Sequence, residues 1–320
     1  MDCILGDCGK MDQLQDLKVG VLGFGLMGAQ ICQTFAQRGY TVSAYDISNE
    51  KINEGLDLIL NGRYGLQRAV DRGKIEFASV REILSRIQPS SSIESTLNNI
   101  DFVIEAAFES VEVKQELLRK ASELTPFSTV LTTNTSTLRI EKIGIVLSPK
   151  DRKRLAGMHF FNPPQIMRLI EVVRASETDD AVVNSIHRVA MSLGKTPIIV
   201  SDCAGFVANR VGLSLFTEAC ELLAKKVASL SDIDTAMRLG FGHPAGPFEL
   251  ADVVGLDSRL RNLQALFEET GLERFRPPES LIKLVAEGYL GSPGTRKGSK
   301  GGYYEYYHIS RPEKKEGQTQ

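Results

Sequence analysis

Six residues near the start of the chain, Gly23-Phe24-Gly25-Leu26-Met27-Gly28, narrow the choice of fold more than any other segment. They read G-x-G-x-x-G, and their neighbours give the pattern its weight. Before them, 17–24 (LKVGVLGF) is a short, β-branched apolar run of the buried-strand type. After them, 27–38 reads as a helix closed by Gly39. A second strand, 41–46 (TVSAYD), follows. Strand, glycine turn, helix and strand in that order build a parallel, doubly wound sheet. Gly23 permits the tight turn, Gly25 lets backbone approach a pyrophosphate, and Gly28 lets helix pack on strand. The helix start at Leu26 and Met27 offers free N–H groups and partial positive charge to phosphates. Asp46 ends the second strand 18 residues beyond Gly28. A carboxylate there hydrogen-bonds an adenosine ribose and repels a 2′-phosphate, so NAD is expected over NADP. The alternative is a glycine-rich turn with an Asp that only caps it.

The chain continues that plan and then changes character. Residues 49–73 form a long helical stretch with Gly62 and Gly65 as weak points. Strand patterns recur at 100–106, 128–134, 155–161, 168–173 and 197–201, with helix patterns at 111–124 and 179–193. Asn162-Pro163-Pro164 interrupts the two strands that flank it. After Asp202 no strand is evident. Residues 205–226 read as one long apolar helix, and 231–239 as a helix capped by Ser231 and closed by Gly240. Further helical segments run to about Gly288. The expected class is α/β: a Rossmann-type doubly wound parallel sheet followed by an all-helical C-terminal domain. The expected parts are a flexible leader at 1–16, an NAD-binding domain at 17–202, a helical substrate and dimerisation domain at 203–307 and a disordered tail at 308–320. The helix at 205–226 is apolar around more than one stripe, which suits a C2 homodimer; a monomer covered by its own helices is the alternative.

Length and charge close off several classes. A chain of 320 residues is naturally two domains. A net charge of -2 gives no reason to expect nucleic acid or an anionic membrane as partner. No run approaches the ~18 uninterrupted apolar residues of a membrane span. The start, MDCILGDCGK, is acidic and reads as neither a secretory signal nor a mitochondrial transit peptide, so a cytoplasmic location is expected. Five scattered cysteines, Cys3, Cys8, Cys32, Cys203 and Cys220, fit free thiols in a reducing compartment. Cys3 and Cys8 have no further Cys or His nearby, and no metal site is expected.

Oxidising an alcohol with NAD needs a base for the hydroxyl proton, and histidine is the usual choice. Of four histidines, His187 lies mid-helix, His243 in a Gly/Pro turn and His308 in the tail. His159 lies on a strand of the cofactor domain, although a lone strand histidine is more often a satisfied core residue. Glu171 shifts the balance. It sits inside the apolar run Leu169-Ile170-Glu171-Val172-Val173, where a carboxylate is costly unless paired. Two strands folded back around Pro163-Pro164 could bring it to His159 as the acid that orients a base. Ser136, in Asn134-Thr135-Ser136, follows a strand at the edge where such sheets bind ligands.

The chain resembles the 3-hydroxyacyl-CoA dehydrogenase family over about 17–306. The matching motifs are the glycine turn, DFVIEA, NTST, GMHFFNP, LIEVV, GFVANR, GHPAGPFELAD and KGSKGGYYEY. The resemblance implies oxidation of (S)-3-hydroxyacyl-CoA by NAD in fatty-acid or butanoate metabolism. It places the base at His159 and its acid at Glu171. Ser136 would hydrogen-bond the reacting oxygen, and Asn209 would hold the thioester region. Glu109 and Lys114 would line the nicotinamide-ribose side, with Asn134 also at the cofactor. Local capping is the alternative for Ser136 and Asn209, and a solvated helix start is the alternative for Glu109 and Lys114. No hydratase segment follows Tyr307, which reads as monofunctional. The chain departs from the family pattern at Ser110, where Asn is common, and in a loop about two residues longer before His159. It departs again where the family contacts CoA with a polar side chain and Lys: here Gly65 and Arg72 stand. Two other readings are a dehydrogenase of a non-CoA hydroxy acid, as in the lambda-crystallin-like L-gulonate dehydrogenases, and an NAD-binding protein without turnover.

Overall fold

The computed structural model describes residues 16–294, 296 and 298–311. Cys3, Cys8, nearly all of the expected leader and the tail from 312 onward lie outside the described residues. The chain divides into two compact units, Met1–Phe206 and Val207–Gln320.

The first unit carries eight strands in the order β3-β2-β1-β4-β5-β6-β7-β8. They are β1 Val19–Leu22, β2 Val42–Tyr45, β3 Ile87–Ser90, β4 Phe102–Glu105, β5 Val130–Thr133, β6 Leu155–Phe160, β7 Leu169–Arg174 and β8 Thr196–Ser201. Strands β1 to β6 are parallel, so the sheet is doubly wound as expected. Strand β7 runs antiparallel to β6, and β8 is parallel to β7. The physical reason lies at 161–168. A parallel pair needs a crossover of roughly a dozen residues or more, and this connection, with its two prolines, is too short for one. Strand order reverses between β1 and β4, which opens a crevice beyond their C-terminal ends.

Alternation feeds two cores. Val19, Val21, Phe102, Ile104, Met158, Phe160, Ile170 and Val172 pack into one layer. Leu22, Val103, Leu131, Leu155 and Val173 pack into the other. Strand β3 had no counterpart in the sequence reading. Its Pro89 argues against an interior strand, and β3 is indeed at the sheet edge, where a missing N–H costs nothing. The stretch 49–73 breaks where its glycines stand, into helices Asn49–Asn61 and Leu66–Asp71.

Among the described residues the second unit is helical: Ala208–Ala224, Leu230–Phe241, Pro247–Val254, Leu256–Thr270, Glu279–Ala286 and Tyr303–Tyr306, with a 3-10 turn at Glu273–Phe275. Phe248 and Tyr303 meet at 4.8 Å between ring centroids, and Phe216 packs edge-on against both. Three helix boundaries here differ from expectation. Ser229, not Ser231, caps its helix, accepting from the Asp232 N–H. The helix also passes through Gly240 and ends at Gly242, whose φ of 69° is the left-handed cap. The preceding long helix begins at Ala208 rather than 205, because Gly205 and Phe206 both have positive φ.

Candidate active site

The glycine turn closes tightly at the mouth of the crevice. Gly23 has φ 97°, and a Cβ there would lie 2.7 Å from the backbone of Ala107. A Cβ on Gly28 would lie 1.8 Å from the Gly23 carbonyl oxygen, so helix Leu26–Ala36 sits against the turn only because position 28 lacks a side chain. Around Gly25 the space is open. The helix has no side-chain cap and no acidic residue in its first turn, which leaves the N–H groups at Leu26 and Met27 directed at that space. Asp46 accepts from the Phe24 N–H at 2.8 Å through Oδ2 and from the Ile47 N–H at 2.8 Å through Oδ1. It therefore does cap the turn, and each oxygen keeps a lone pair for a ribose hydroxyl. An uncapped helix end, an open backbone approach and a carboxylate at the end of β2 together fit a dinucleotide without a 2′-phosphate.

On β6 and β7, His159 stands directly opposite Glu171 in register. Both are buried, at 5% and 0% exposure. His159 Nδ1 lies 2.7 Å from Glu171 Oε2. The imidazole packs against Phe161 at 4.5 Å and Phe206 at 5.7 Å between ring centroids. Alternation explains the pairing. Met158, Phe160, Ile170 and Val172 occupy one core layer, which turns His159 and Glu171 together to the other face.

The loop after β5 is held from below. Glu109 Oε1 accepts from Thr135 Oγ1 at 2.6 Å, Ser136 N–H at 3.0 Å and Thr137 N–H at 3.3 Å. Its Oε2 lies 3.2 Å from Lys114 Nζ. Burial pushes the Glu109 carboxyl up, but Lys114 and these donors outweigh it and hold the group below its ordinary value. Lys114 is 1% exposed, so the solvated helix start does not describe it. Its ammonium reaches Glu105, which sequence reading missed, at 3.0 Å to each oxygen. For Glu105 burial prevails and raises the carboxyl despite Lys114 and Thr133. The available signal was the one used for Glu171, an acid within an apolar strand run, here 100–106. Asn134 Oδ1 accepts from the Phe160 N–H at 2.8 Å, tying the end of β5 to the end of β6.

The structure thus brings together His159 with Glu171, Ser136 with Glu109 and Lys114, and Asp46 with the glycine turn. Asn209 lies in the first turn of helix Ala208–Ala224 in the second unit. Gly65 caps helix Leu66–Asp71, and a Cβ there would meet the Leu60 carbonyl oxygen at 2.7 Å. Ser110, at the departure beside Glu109, caps helix Val111–Leu124.

Residues 18–203 match the family described as 3-hydroxyacyl-CoA dehydrogenase, NAD binding domain, and residues 205–306 match 3-hydroxyacyl-CoA dehydrogenase, C-terminal domain. A probable 3-hydroxybutyryl-CoA dehydrogenase of Bacillus subtilis is 36% identical over 289 residues, covering 90% of this chain and 97% of that protein. A 3-hydroxybutyryl-CoA dehydrogenase of Clostridioides difficile is 36% identical over 290 residues, covering 91% and 99%. The crystal structure of (S)-3-hydroxybutyryl-CoA dehydrogenase from Ralstonia eutropha aligns with a TM-score of 0.79 at 35% identity, covering 88% of this chain and 98% of that one.

Proposed function

The chain belongs to the 3-hydroxyacyl-CoA dehydrogenase family and is an NAD-dependent dehydrogenase, and we propose that it interconverts (S)-3-hydroxyacyl-CoA and 3-oxoacyl-CoA with His159 as the base. The observation that carries this reading is the buried His159–Glu171 pair. An ionised carboxylate only accepts hydrogen bonds. Glu171 therefore keeps the proton on Nδ1 and leaves the lone pair of Nε2 to take the hydroxyl proton. It also stabilises the imidazolium that results. Bound NAD supplies the acceptor for the hydride. Ser136 holds the reacting oxygen, on a loop set by Glu109, and Asn209 holds the thioester region. Leu26, Met27 and the three glycines take the pyrophosphate, Asp46 the adenosine ribose, and Glu109, Lys114 and Asn134 the nicotinamide end. The substrate class is supported by the names of the relatives in Bacillus subtilis and Clostridioides difficile.

The reading extends to a cytoplasmic homodimer. Cys32, Cys203 and Cys220 are free, in keeping with a reducing compartment. The second unit exposes Leu239 at 82% and Phe241 at 75%, apolar surface of the kind that a second copy would cover. One observation favours a substrate without CoA: Gly65 has no room for the polar side chain frequent in the family's CoA segment.

The test is NADH oxidation on acetoacetyl-CoA, beside NADPH, with His159→Gln as control. Turnover with NADH that the substitution lowers by about 10²–10⁴-fold, with NADH still bound, is the expected result. NADH binding without turnover on acetoacetyl-CoA rejects the CoA substrate and makes gulonate the next to try.

A further inference from the structure

Lys114 is a buried ammonium between two carboxylates, only one of which touches the Ser136 loop. The other, Glu105, has no role in the reading above. It ends β4 in register with Thr133 on β5 and is 0% exposed. Each of its oxygens accepts twice. Oε1 takes the Ala107 N–H at 2.7 Å and Lys114 Nζ at 3.0 Å, and Oε2 takes Thr133 Oγ1 at 2.6 Å and Lys114 Nζ at 3.0 Å. Lys114 also donates to the Ala107 carbonyl at 3.3 Å. With its stem buried, the ammonium is oriented by these bonds, and it presents its remaining reach to Glu109 Oε2 at 3.2 Å. Glu109 Oε1 in turn gathers Thr135, Ser136 and Thr137. A second, shorter route runs from Glu105 through Thr133 Oγ1, which accepts from the Thr135 N–H at 3.4 Å. Both routes end on the same loop.

We propose that Glu105 is a positioning residue of the dehydrogenase, orienting Lys114 so that Glu109 holds the Ser136 loop in its working geometry. The arrangement requires a carboxylate. Because every oxygen of Glu105 already accepts from Lys114, an amide at this position places an NH2 group against the ammonium in either orientation. The ammonium then leans onto Glu109 and draws its carboxylate off the loop. The proposal rests on the assignment of Ser136 to the reacting oxygen.

The test compares full-length Glu105→Gln, Lys114→Met and the double variant on acetoacetyl-CoA and NADH, with kcat expressed per NADH-binding site counted by fluorescence titration. Counting sites removes any loss of folded protein. Glu105→Gln lowers kcat by about 10²-fold, the size of a small misplacement at a reacting centre. The double variant is no slower than the slower single variant, because both changes break one chain. Losses that multiply, or wild-type kcat in Glu105→Gln, overturn the proposal. Should Glu105→Gln not fold, Thr133→Val removes the donor to Oε2 at nearly constant shape. A kcat about fivefold lower is then expected, and an unchanged kcat overturns the proposal. Ser136→Ala separates the two readings: full activity there rejects the role of Ser136, while multiplicative losses at 105 and 114 reject the role of Glu105.

Discussion

Glu105 and Glu171 in the first unit, and Asp234 and Asp252 in the second, are all 0% exposed, yet they direct their oxygens to different partners. In the first unit the partners are groups that carry or take a proton: Lys114 for Glu105 and His159 for Glu171. In the second unit they are first of all helix ends. Asp234 accepts from the N–H groups of Phe248 and Glu249, both at 2.9 Å, and from Tyr304 Oη at 2.8 Å. Asp252 accepts from the Tyr303 N–H at 2.7 Å, and Arg311 closes the arrangement at 2.7 Å. A buried carboxylate must be satisfied in either case. What satisfies it differs between the units, and on the proposed reading that difference separates acids that arrange chemistry from acids that join helices.

The sharpest way to break this contrast is Glu171→Gln. Turnover is expected to fall by about 10²–10⁴-fold, the range seen when a histidine base loses the partner that fixes its tautomer. NADH binding, read by fluorescence, should persist. Near-normal turnover would make Glu171 an acid of the second kind. Asp252→Asn is the converse. It presents an NH2 group to donors that need an acceptor, and should lower the unfolding free energy by about 2–3 kcal/mol in urea titrations. Its kcat per folded molecule should not change, and a large fall in kcat without lost stability would erase the distinction.

Protonation sharpens the same comparison with a smaller effect. Burial raises Asp234 and Asp252 above the usual carboxylate value of 3.8 in spite of their donors. The folded state therefore holds these protons to higher pH than the unfolded chain. Stability from these groups falls as pH rises from 3.8 through the folded value, and recovers on acidification. Glu109 is shifted the other way, so its contribution is present above its ordinary value and lost as pH falls through the folded one. Stability curves at acid pH for Asp252→Asn should show the first trend weakened to the part that Asp234 contributes. The smallest effect concerns a buried cation of the first unit that acts like the acids of the second. Lys195 donates to the carbonyls of Pro164 and Met167. Burial, then Arg38 and Arg168, lower it to about 8 from 10.5. Between those values the unfolded chain binds the extra proton, so stability from this group rises with pH from about 8 to 10.5. Lys195→Met should flatten that rise in urea titrations. A rise that persists unchanged would mean that Lys195 does not titrate in this window.

Reading by sequence succeeded where a feature is made by neighbours in the chain. Helix Val111–Leu124 has the bounds that its periodicity indicates. The break in 49–73 fell between Gly62 and Gly65, because glycine weakens a helix wherever it stands. Reading was less sharp where packing chooses between equivalent local options. Ser229 and Ser231 are both good caps, and the choice fell on Ser229 because Leu230, 1% exposed, is drawn into the core as the first helical residue. Strand β3 was invisible because Ile-Gln-Pro-Ser has no strand pattern of its own. It is a strand only because β2 offers it an edge.

The glycine turn was legible in sequence alone, since Gly23, Gly25 and Gly28 act through steric freedom of adjacent backbone and Asp46 follows one helix later. Rows of strand residues also implied that His159 and Glu171 were buried acid and base candidates. Only the tertiary structure decided that they face each other, because that depends on β7 running back along β6 in the one register that pairs 159 with 171. A slip of one residue would have turned Glu171 into the opposite core layer. The chain from Glu105 through Lys114 to Glu109 and the Ser136 loop was likewise set by tertiary structure. It joins β4, β5 and a helix whose sequence separations carry no periodic signal, and the burial that makes its charges matter exists only once those elements have packed.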